Sequence, residues 1–221
     1  MFIKGFINQG VRMSNDFMKA MDFRHACKMF DTEKKILDED MHTILEAGRK
    51  SPSSFGMEAW KFLVITNEAL KEKIKPLCWN QPQITSCSHL VIVLAGIENL
   101  KVESGEVAKR FQRREMPEES FNAYMNIYAQ HLAPVLSSNE ALYAWSSKQT
   151  YIAAANMMSG AAFAGIDSCP IEGFEKENLE KLLELNTNKH QVALVLPFGY
   201  RLNEQSSQLR LAFEDVVEFI N

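Results

Sequence analysis

Residues 152–164, Ile-Ala-Ala-Ala-Asn-Met-Met-Ser-Gly-Ala-Ala-Phe-Ala, narrow the possible folds more than any other stretch. They are apolar or small almost all round, so a helix built from them has no polar face to give to water. The stretch is shorter than the roughly 20 apolar residues that cross a bilayer. It forms the C-terminal half of the longest helix that the spacing predicts, over 137–164. Ser137-Ser138-Asn139-Glu140 fits a capping box at its start. Gly165 fits a left-handed stop at its end. A helix buried on every side, in a chain of 221 residues, points to a subunit interface.

The other elements are shorter. A helix is expected over 14–23, capped by Ser14 or Asn15, with Phe17, Met18 and Met21 at helical spacing. Asp38 is expected to cap a second helix with Met41, Ile44, Leu45 and Gly48 as its buried stripe, ending in Arg49-Lys50, cations suited to a C-terminal dipole. Residues 60–66 (WKFLVIT) read as a strand. Asn67 is expected to cap a helix that carries Leu70, Ile74 and Leu77 on one face. Residues 90–95 (LVIVLA) form a continuous apolar run of strand length, expected at the sheet centre and buried on both faces. Residues 167–174 read as a loop, 175–185 as an amphipathic helix and 191–198 as a third strand. A fourth strand is expected at 216–219, set apart by polar residues 203–208. Residues 97–137 are charged, then aromatic, and are expected to be helical with a mobile linker. Phe111, Phe121, Tyr124 and Tyr128 there suit either a cover over a substrate or a core. Strands do not alternate strictly with helices, which favours α+β over a doubly wound α/β fold.

Composition removes several function classes. Hydrophobic residues make up 46% of the chain and the net charge is −4. With no block of Lys and Arg, a dedicated nucleic-acid or anionic-membrane surface is disfavoured. Cys27, Cys78, Cys87 and Cys169 form no C-x-x-C pair and have no histidine at metal spacing, which predicts reduced thiols, no metal and a cytoplasmic location. Residues 1–13 are expected to be an extension of a single domain over 14–221. No G-x-G-x-x-G, Walker or G-x-S-x-G motif is present. No paired carboxylates stand out and the five histidines are scattered, so no catalytic side chain is assigned. What remains is Arg24-His25-Ala26-Cys27-Lys28. Its two cations lie four residues apart, on one face whether the segment is helical or extended. Such cations can hold phosphate by charge-assisted hydrogen bonds. The turn Pro52-Ser53-Ser54 would complete that site with hydroxyls, so the chain reads as a binder of a phosphorylated cofactor.

These pieces occur in an order that resembles the FMN-dependent nitroreductase family. The likeness runs from about Arg24 to Arg210. It rests on Arg24-His25-x-x-Lys28-x-Phe30, Ser51-Pro52-Ser53-Ser54, Trp60-x-Phe62, Ser88-His89-Leu90-Val91 and Lys148-Gln149-x-Tyr151. Its most specific part is Gly165-Ile166-Asp167-Ser168-Cys169-Pro170-Ile171-Glu172-Gly173-Phe174. The resemblance implies a nitroreductase-like α+β fold with a central, mostly antiparallel sheet. It also implies an intertwined homodimer whose C-terminal strand passes to the partner, with FMN at the interface. The chemistry it implies is a ping-pong transfer of hydride from NADPH or NADH, through flavin N5, to a nitroaromatic, a quinone or a similar small electron-poor acceptor. The nearest alternatives are a pteridine or flavin reductase and a non-catalytic flavin-binding module.

Carried over position by position, Arg24, Lys28 and Arg210 match contacts to the flavin phosphate or the pyrimidine side of the ring. His25 and Ala26 lie in the same segment. Pro52, Ser53 and Ser54 match a loop supplied by the partner subunit, with Gly56 beyond them. Asn80 falls where an amide sits near the isoalloxazine edge, and Gln83 belongs to the same region. Pro170, Ile171, Glu172 and Gly173 match the loop against the ring, where a backbone N–H, that of Glu172, faces N5. The sequence departs from the family pattern at several of these places. Ala26 replaces a common Ser, Gln83 and Gln208 replace Lys, Gly56 replaces Asn, and Glu58-Ala59-Trp60 replaces Gln-Pro-Trp. Fewer cations imply weaker FMN binding or a lower flavin potential, and Gly56 and Glu58 put the usual contacts of their loop in question.

Overall fold

A computed structural model of the chain describes residues 10–132 and 134–220. Its centre is a four-stranded sheet in the order β1-β2-β4-β3, with β1 at Trp60–Ile65, β2 at His89–Gly96, β3 at Asp167–Ser168 and β4 at His190–Gly199. All three pairings are antiparallel: Lys61 lies opposite Leu94, Val91 opposite Leu196, and Ser168 opposite Phe198. Every residue of β2 is buried, as its unbroken apolar run predicts.

Two layers of helix cover the sheet. On one face, α3 (Glu68–Leu77), α4 (Gln83–Ser86) and α8 (Lys176–Leu182) enclose Ile74, Ile84, Leu90, Ile92, Leu179 and Val195. On the other, α2 (Asp38–Arg49) and α7 (Asn139–Phe163) close over Ile44, Val91, Val93, Met157 and Leu194. α1 (Gly10–Phe23) packs beside α7. The expected α+β class is therefore the one observed.

Several boundaries differ from expectation for identifiable reasons. α1 already runs at Gly10, so Ser14 and Asn15 lie inside it and do not cap it; residues 1–9 of the expected extension lie outside the described residues. Leu37, not Asp38, caps α2; Asp38, Glu39 and Asp40 instead fill its first turn, where negative charge suits the helix dipole. Asn67 does cap α3, its Oδ1 accepting the Leu70 N–H at 2.9 Å. The cap of α7 is Ser138, whose Oγ accepts the Ala141 N–H, because Ser137 spends its hydroxyl on the Pro134 carbonyl. Gly165 ends that helix in the left-handed region (φ 73°).

Two features that the sequence assigns to contact with a second copy look as follows in the single chain. In the single chain α7 is buried on one side, through Ala153, Ala154, Met157 and Ala161, while Tyr151, Ile152 and Phe163 are exposed. The fourth strand is Asp167–Ser168, which is too short for any periodicity to announce. Residues 216–219 join none of the four strands; α9 (Phe213–Val216) is a single helical turn, and Leu209, Leu211, Phe213, Phe219 and Ile220 around it stay exposed.

The segment between β2 and α7 builds its own core. Two short 3₁₀ turns lead into α5 (Glu106–Gln112) and α6 (Glu118–Leu132). Phe111 and Tyr128 are fully buried there with Met57, Ile97, Leu100, Val107 and Leu142. Tyr128 donates its hydroxyl to the Leu100 carbonyl at 2.7 Å, which satisfies the one polar atom of a buried ring. Phe111 and Tyr128 are therefore core, while Phe121 and Tyr124 pack on them partly exposed.

Candidate functional site

The segment after α1 is extended and lies along the end of the sheet. Ala26 bridges Ser168, Cys27 donates its N–H to the Ser168 carbonyl at 3.1 Å, and Phe30 bridges Arg201. Extended backbone turns alternate side chains to opposite sides. Cys27 thus points into the core, while Ala26 and Lys28 are exposed and Arg24 is half-buried. Among the described residues neither Arg24 nor Lys28 forms an ion pair with a carboxylate. Arg24 still donates its N–H to the Ala20 carbonyl at the end of α1, and Lys28 follows on the extended part; cations that make no ion pair are donors suited to an anion.

Lys28 leads into the second part of the site. Its Nζ lies 3.7 Å from the Cys169 Sγ, and Gln83 Nε2 lies 3.8 Å from the same sulfur. Gln83, which is buried, also donates to Gln81 Oε1 at 2.9 Å, and Gln81 Nε2 donates to the Gly173 carbonyl at 3.0 Å. Residues 170–173 follow the edge of β4, because Ile171 exchanges backbone hydrogen bonds with Val195. Among the described residues no backbone acceptor takes the N–H of Glu172 or of Gly173. Trp79 covers this loop from outside: a Cβ added at Gly173 would sit 2.6 Å from its ring, so glycine is what lets the indole approach. Trp79 and Asn80 both sit in the left-handed region (φ 55° and 54°), and Asn80 is exposed beside the loop. Burial raises the Cys169 thiol above its ordinary range, with Lys28 opposing it, and pushes Cys27 up to about 11. Both thiols are neutral at pH 7.

A buried ion pair braces the same end of the sheet. Arg201 forks onto Asp167, with contacts of 2.6–3.0 Å, and its own N–H reaches Asp167 Oδ2 at 2.9 Å. Its ring neighbour is Phe23, 4.0 Å below the guanidinium, and it also donates to the Phe23 carbonyl. His25 lies 3.5 Å from Asp167 Oδ1, yet burial first and Arg201 second hold its pKa below the ordinary value, so it is neutral at pH 7 and no ion pair forms. Its Nδ1 is buried without a hydrogen bond.

The Pro52-Ser53-Ser54 turn is held elsewhere. Gln149 of α7 accepts the Ser54 N–H at 2.9 Å, Asn156 donates to Ser51 Oγ at 2.8 Å, and Ser53 Oγ accepts the Glu58 N–H at 2.8 Å. Tyr151, two residues from Gln149, donates to Glu172 at 2.5 Å. Residues two apart on a helix are about 200° apart around its axis. The turn and the 170–173 loop are thus fastened to different sides of α7, and among the described residues no hydrogen bond or ion pair joins the turn to the 24–28 segment. Arg210 lies on the tail that runs past the start of the cation segment. It donates to the Leu209 carbonyl at 2.7 Å, while Gln208 donates to the carbonyls of Met21, Asp22 and Arg24 at 2.6–3.1 Å and pins the tail beside α1.

The fold therefore gathers Arg24, His25, Ala26, Lys28, Gln83, Asn80 and residues 170–173 toward one end of the sheet, with the tail before Arg210 tied to the Arg24 carbonyl, and leaves Pro52, Ser53, Ser54 and Gly56 outside that group. Sequence reasoning missed Trp79, Gln81 and the Asp167–Arg201 pair. A tryptophan between the end of α3 and Asn80-Gln81-Pro82 was the available signal for the first two; nothing marked Arg201. No helix among the described residues is long and apolar enough to cross a membrane.

Comparison with known proteins bears on the family and the fold. Residues 21–200 match the model of the nitroreductase family. A Staphylococcus haemolyticus protein named "Putative NAD(P)H nitroreductase SH0546" is 42% identical over 222 residues, covering 94% of this chain and 99% of that one. The Bacillus subtilis protein named "Putative NAD(P)H nitroreductase YfkO" is 37% identical over 218 residues, with the same coverage. Among solved structures, a Staphylococcus epidermidis protein titled an NAD(P)H:FMN oxidoreductase of "putative" status superposes with a TM-score of 0.74 at 27% identity, over 93% of this chain and 96% of that one. An Exiguobacterium sibiricum protein, solved in complex with FMN, shares the fold with a TM-score of 0.78 at 24% identity, over 92% and 97%.

Proposed function

We propose a function from one premise: this chain belongs to the nitroreductase family and is an oxidoreductase. It holds FMN between the 24–28 segment, the 170–173 loop and the Pro52–Ser54 turn of a second copy. FMN, when bound, supplies the chemistry, taking hydride from NADPH or NADH and giving it to a nitroaromatic, quinone or related electron-poor acceptor in alternate half-reactions.

The residues fit that group. Arg24 and Lys28, free of carboxylates, bind and neutralise its anionic parts, and Gln83 offers an amide beside them. The unspent N–H of Glu172 is the donor toward the ring, and Tyr151 fixes that residue from α7. Trp79 and the buried β4 edge keep water from one side of the loop. No side chain need gain or lose a proton, in keeping with the neutral His25, Cys27 and Cys169.

Two observations support a second copy. The turn and the cation segment are fastened to different sides of α7, and the cavity along residues 25–29 is only about 190 Å³, below the ~300–1,000 Å³ of pockets that enclose a small ligand. The exposed Tyr151, Ile152 and Phe163 and the apolar tail are the surfaces such a homodimer would cover. Four buried, unpaired cysteines suit a reducing cytoplasm. A flavin reductase is the second reading, favoured by the 27% identity to the S. epidermidis protein.

The single observation that carries the proposal is Lys28, exposed and without an ion pair among the described residues, with its Nζ 3.7 Å from Cys169 at the start of the 170–173 loop. The test is the visible spectrum of purified protein before and after anaerobic NADPH or NADH. A flavin band near ~450 nm that bleaches is the expected result, since the cofactor carries the hydride. Absence of a band after incubation with FMN contradicts the proposal.

A further inference from the structure

Three arginines at the end of α5 converge on the backbone that follows Ser54. Arg110 Nε donates to the Met57 carbonyl, Arg113 Nη2 to the Gly56 carbonyl at 3.3 Å, and Arg114 Nη2 to the Phe55 carbonyl at 2.8 Å. Three successive carbonyls thus each receive a guanidinium. Arg113 also forks onto the carboxylate of Glu58 at 3.2 and 3.3 Å, and Arg114 lies over the rings of Tyr124 (4.6 Å) and Phe111 (5.3 Å). Aromatic faces of this kind hold a guanidinium in place.

The backbone they hold supports itself only in part: Gly56 donates its N–H to the Ser53 carbonyl at 2.9 Å and Met57 to that of Ser54 at 3.2 Å, but among the described residues the carbonyls of Phe55, Gly56 and Met57 accept no backbone N–H. Phe55, Gly56 and Glu58 have φ of 57°, 63° and 47°. The left-handed region is uphill for any residue with a Cβ, so Phe55 and Glu58 stay there only while their surroundings demand it. At Gly56 the fit is tight as well: an added Cβ would lie 3.1 Å from Arg114 Nη2. The departures at Gly56 and Glu58 now have a physical reading. Glycine supplies the left-handed position and Glu58 supplies a partner for Arg113.

We infer that Arg110, Arg113 and Arg114 are positioning residues for the flavin site, clamping residues 55–58 so that Ser53 and Ser54 are presented in one fixed geometry. The inference rests on the flavin reading and extends it. The α5–α6 excursion is, through these side chains, a support of a flavin-holding loop 53–59 residues away in sequence. It also follows that a movement of α5 alters flavin retention.

The test uses the full chain, with an Arg113→Gln/Arg114→Gln double variant and a separate Arg114→Lys variant. Amide hydrogen exchange of residues 53–58 is followed in the flavin-free protein, and FMN affinity by quenching of flavin fluorescence. The clamp predicts loop exchange at least about tenfold faster in the double variant, with FMN bound about tenfold more weakly, as the loss of charge-assisted bonds implies. Protection in β2 and β4 stays at the wild-type level, which shows that the sheet is folded. Arg114→Lys, which keeps a charge and a donor, recovers most of both effects. Wild-type loop exchange in the double variant overturns the clamp. Faster loop exchange with unchanged FMN affinity overturns its role at the flavin site. If the wild-type protein itself binds no FMN, the flavin reading falls and takes this role with it, whatever the loop exchange shows.

Discussion

The two halves of the candidate site are held by different means. The cation segment, residues 24–30, is laid onto the sheet by backbone bridges to Ser168 and Arg201, and the 170–173 loop is tied to Val195 in the same way. Among the described residues the Pro52–Glu58 loop makes no such bridge to the sheet; beyond its own turn and the buried Met57, it is held by the side chains of Gln149, Asn156 and three arginines. Backbone hydrogen bonds tolerate changes of side chain, whereas a loop fixed by side chains can be loosened one residue at a time. The lesson is that one site can combine a half whose geometry is nearly insensitive to substitution with a half that is tunable.

The sharpest way to break the rigid half is to remove its buried charge. Asp167→Ala leaves Arg201 without its carboxylate and His25 beside an unpaired cation, and should destabilise the fold by about 3–5 kcal/mol, read as a lower urea midpoint. Lys28→Ala sharpens the same comparison from the other side. Lys28 is exposed and ties nothing structural, so the urea midpoint should hold while FMN affinity falls by about 10- to 100-fold, the worth of a charge-assisted hydrogen bond. Gln149→Leu acts on the side-chain-held half. It strips the Ser54 N–H of its acceptor and should cost roughly 0.5–1.5 kcal/mol, with a matching loss of FMN affinity by titration, and leave β2 and β4 exchange unchanged.

The smallest effect is that of pH. Burial lowers the pKa of His25, His89 and His190 from 6.5. A group that binds its proton more readily unfolded than folded favours the unfolded chain as soon as protons are available. Stability should therefore be full above about pH 6.5, and decline as pH falls below that value toward the folded pKa values. Urea midpoints between pH 8 and 5.5 check this, and a midpoint that rises as the solution is acidified contradicts it.

How much of this was legible in the sequence follows the same division. The strands at 60–66, 90–95 and 191–198 and the caps near Asn67 and Ser138 were readable because each has a local signal, either an unbroken β-branched run or a hydroxyl or amide ahead of an apolar stripe. Lys28 was readable as a candidate anion donor because it is a cation in a short basic stretch, and the structure leaves it exposed beside Cys169. The two-residue strand at Asp167 was not, since nothing shorter than about four residues carries a period. Nor were Arg110, Arg113 and Arg114, which look like an ordinary charged helix end until α5 folds back over the 55–58 backbone. The exposed outer face of α7 shows the converse case. Its composition announces burial that the single chain does not provide, and the tail at 216–219 reads as a strand that its own sheet does not accept.

The central claim is that the rigid half of one copy and the tunable half of another build one flavin site. The direct test pairs two damaged chains. One carries Arg24→Ala and Lys28→Ala, the other Ser53→Asp and Ser54→Asp, each with a different affinity tag, and the mixed dimer is isolated after co-expression. Each variant alone should bind no FMN. In the mixed dimer one site has both halves damaged and the other has both intact, so the account predicts one FMN per dimer and NADPH-dependent bleaching of that flavin. A mixed dimer that stays colourless with added FMN would place both halves in the same chain and contradict it.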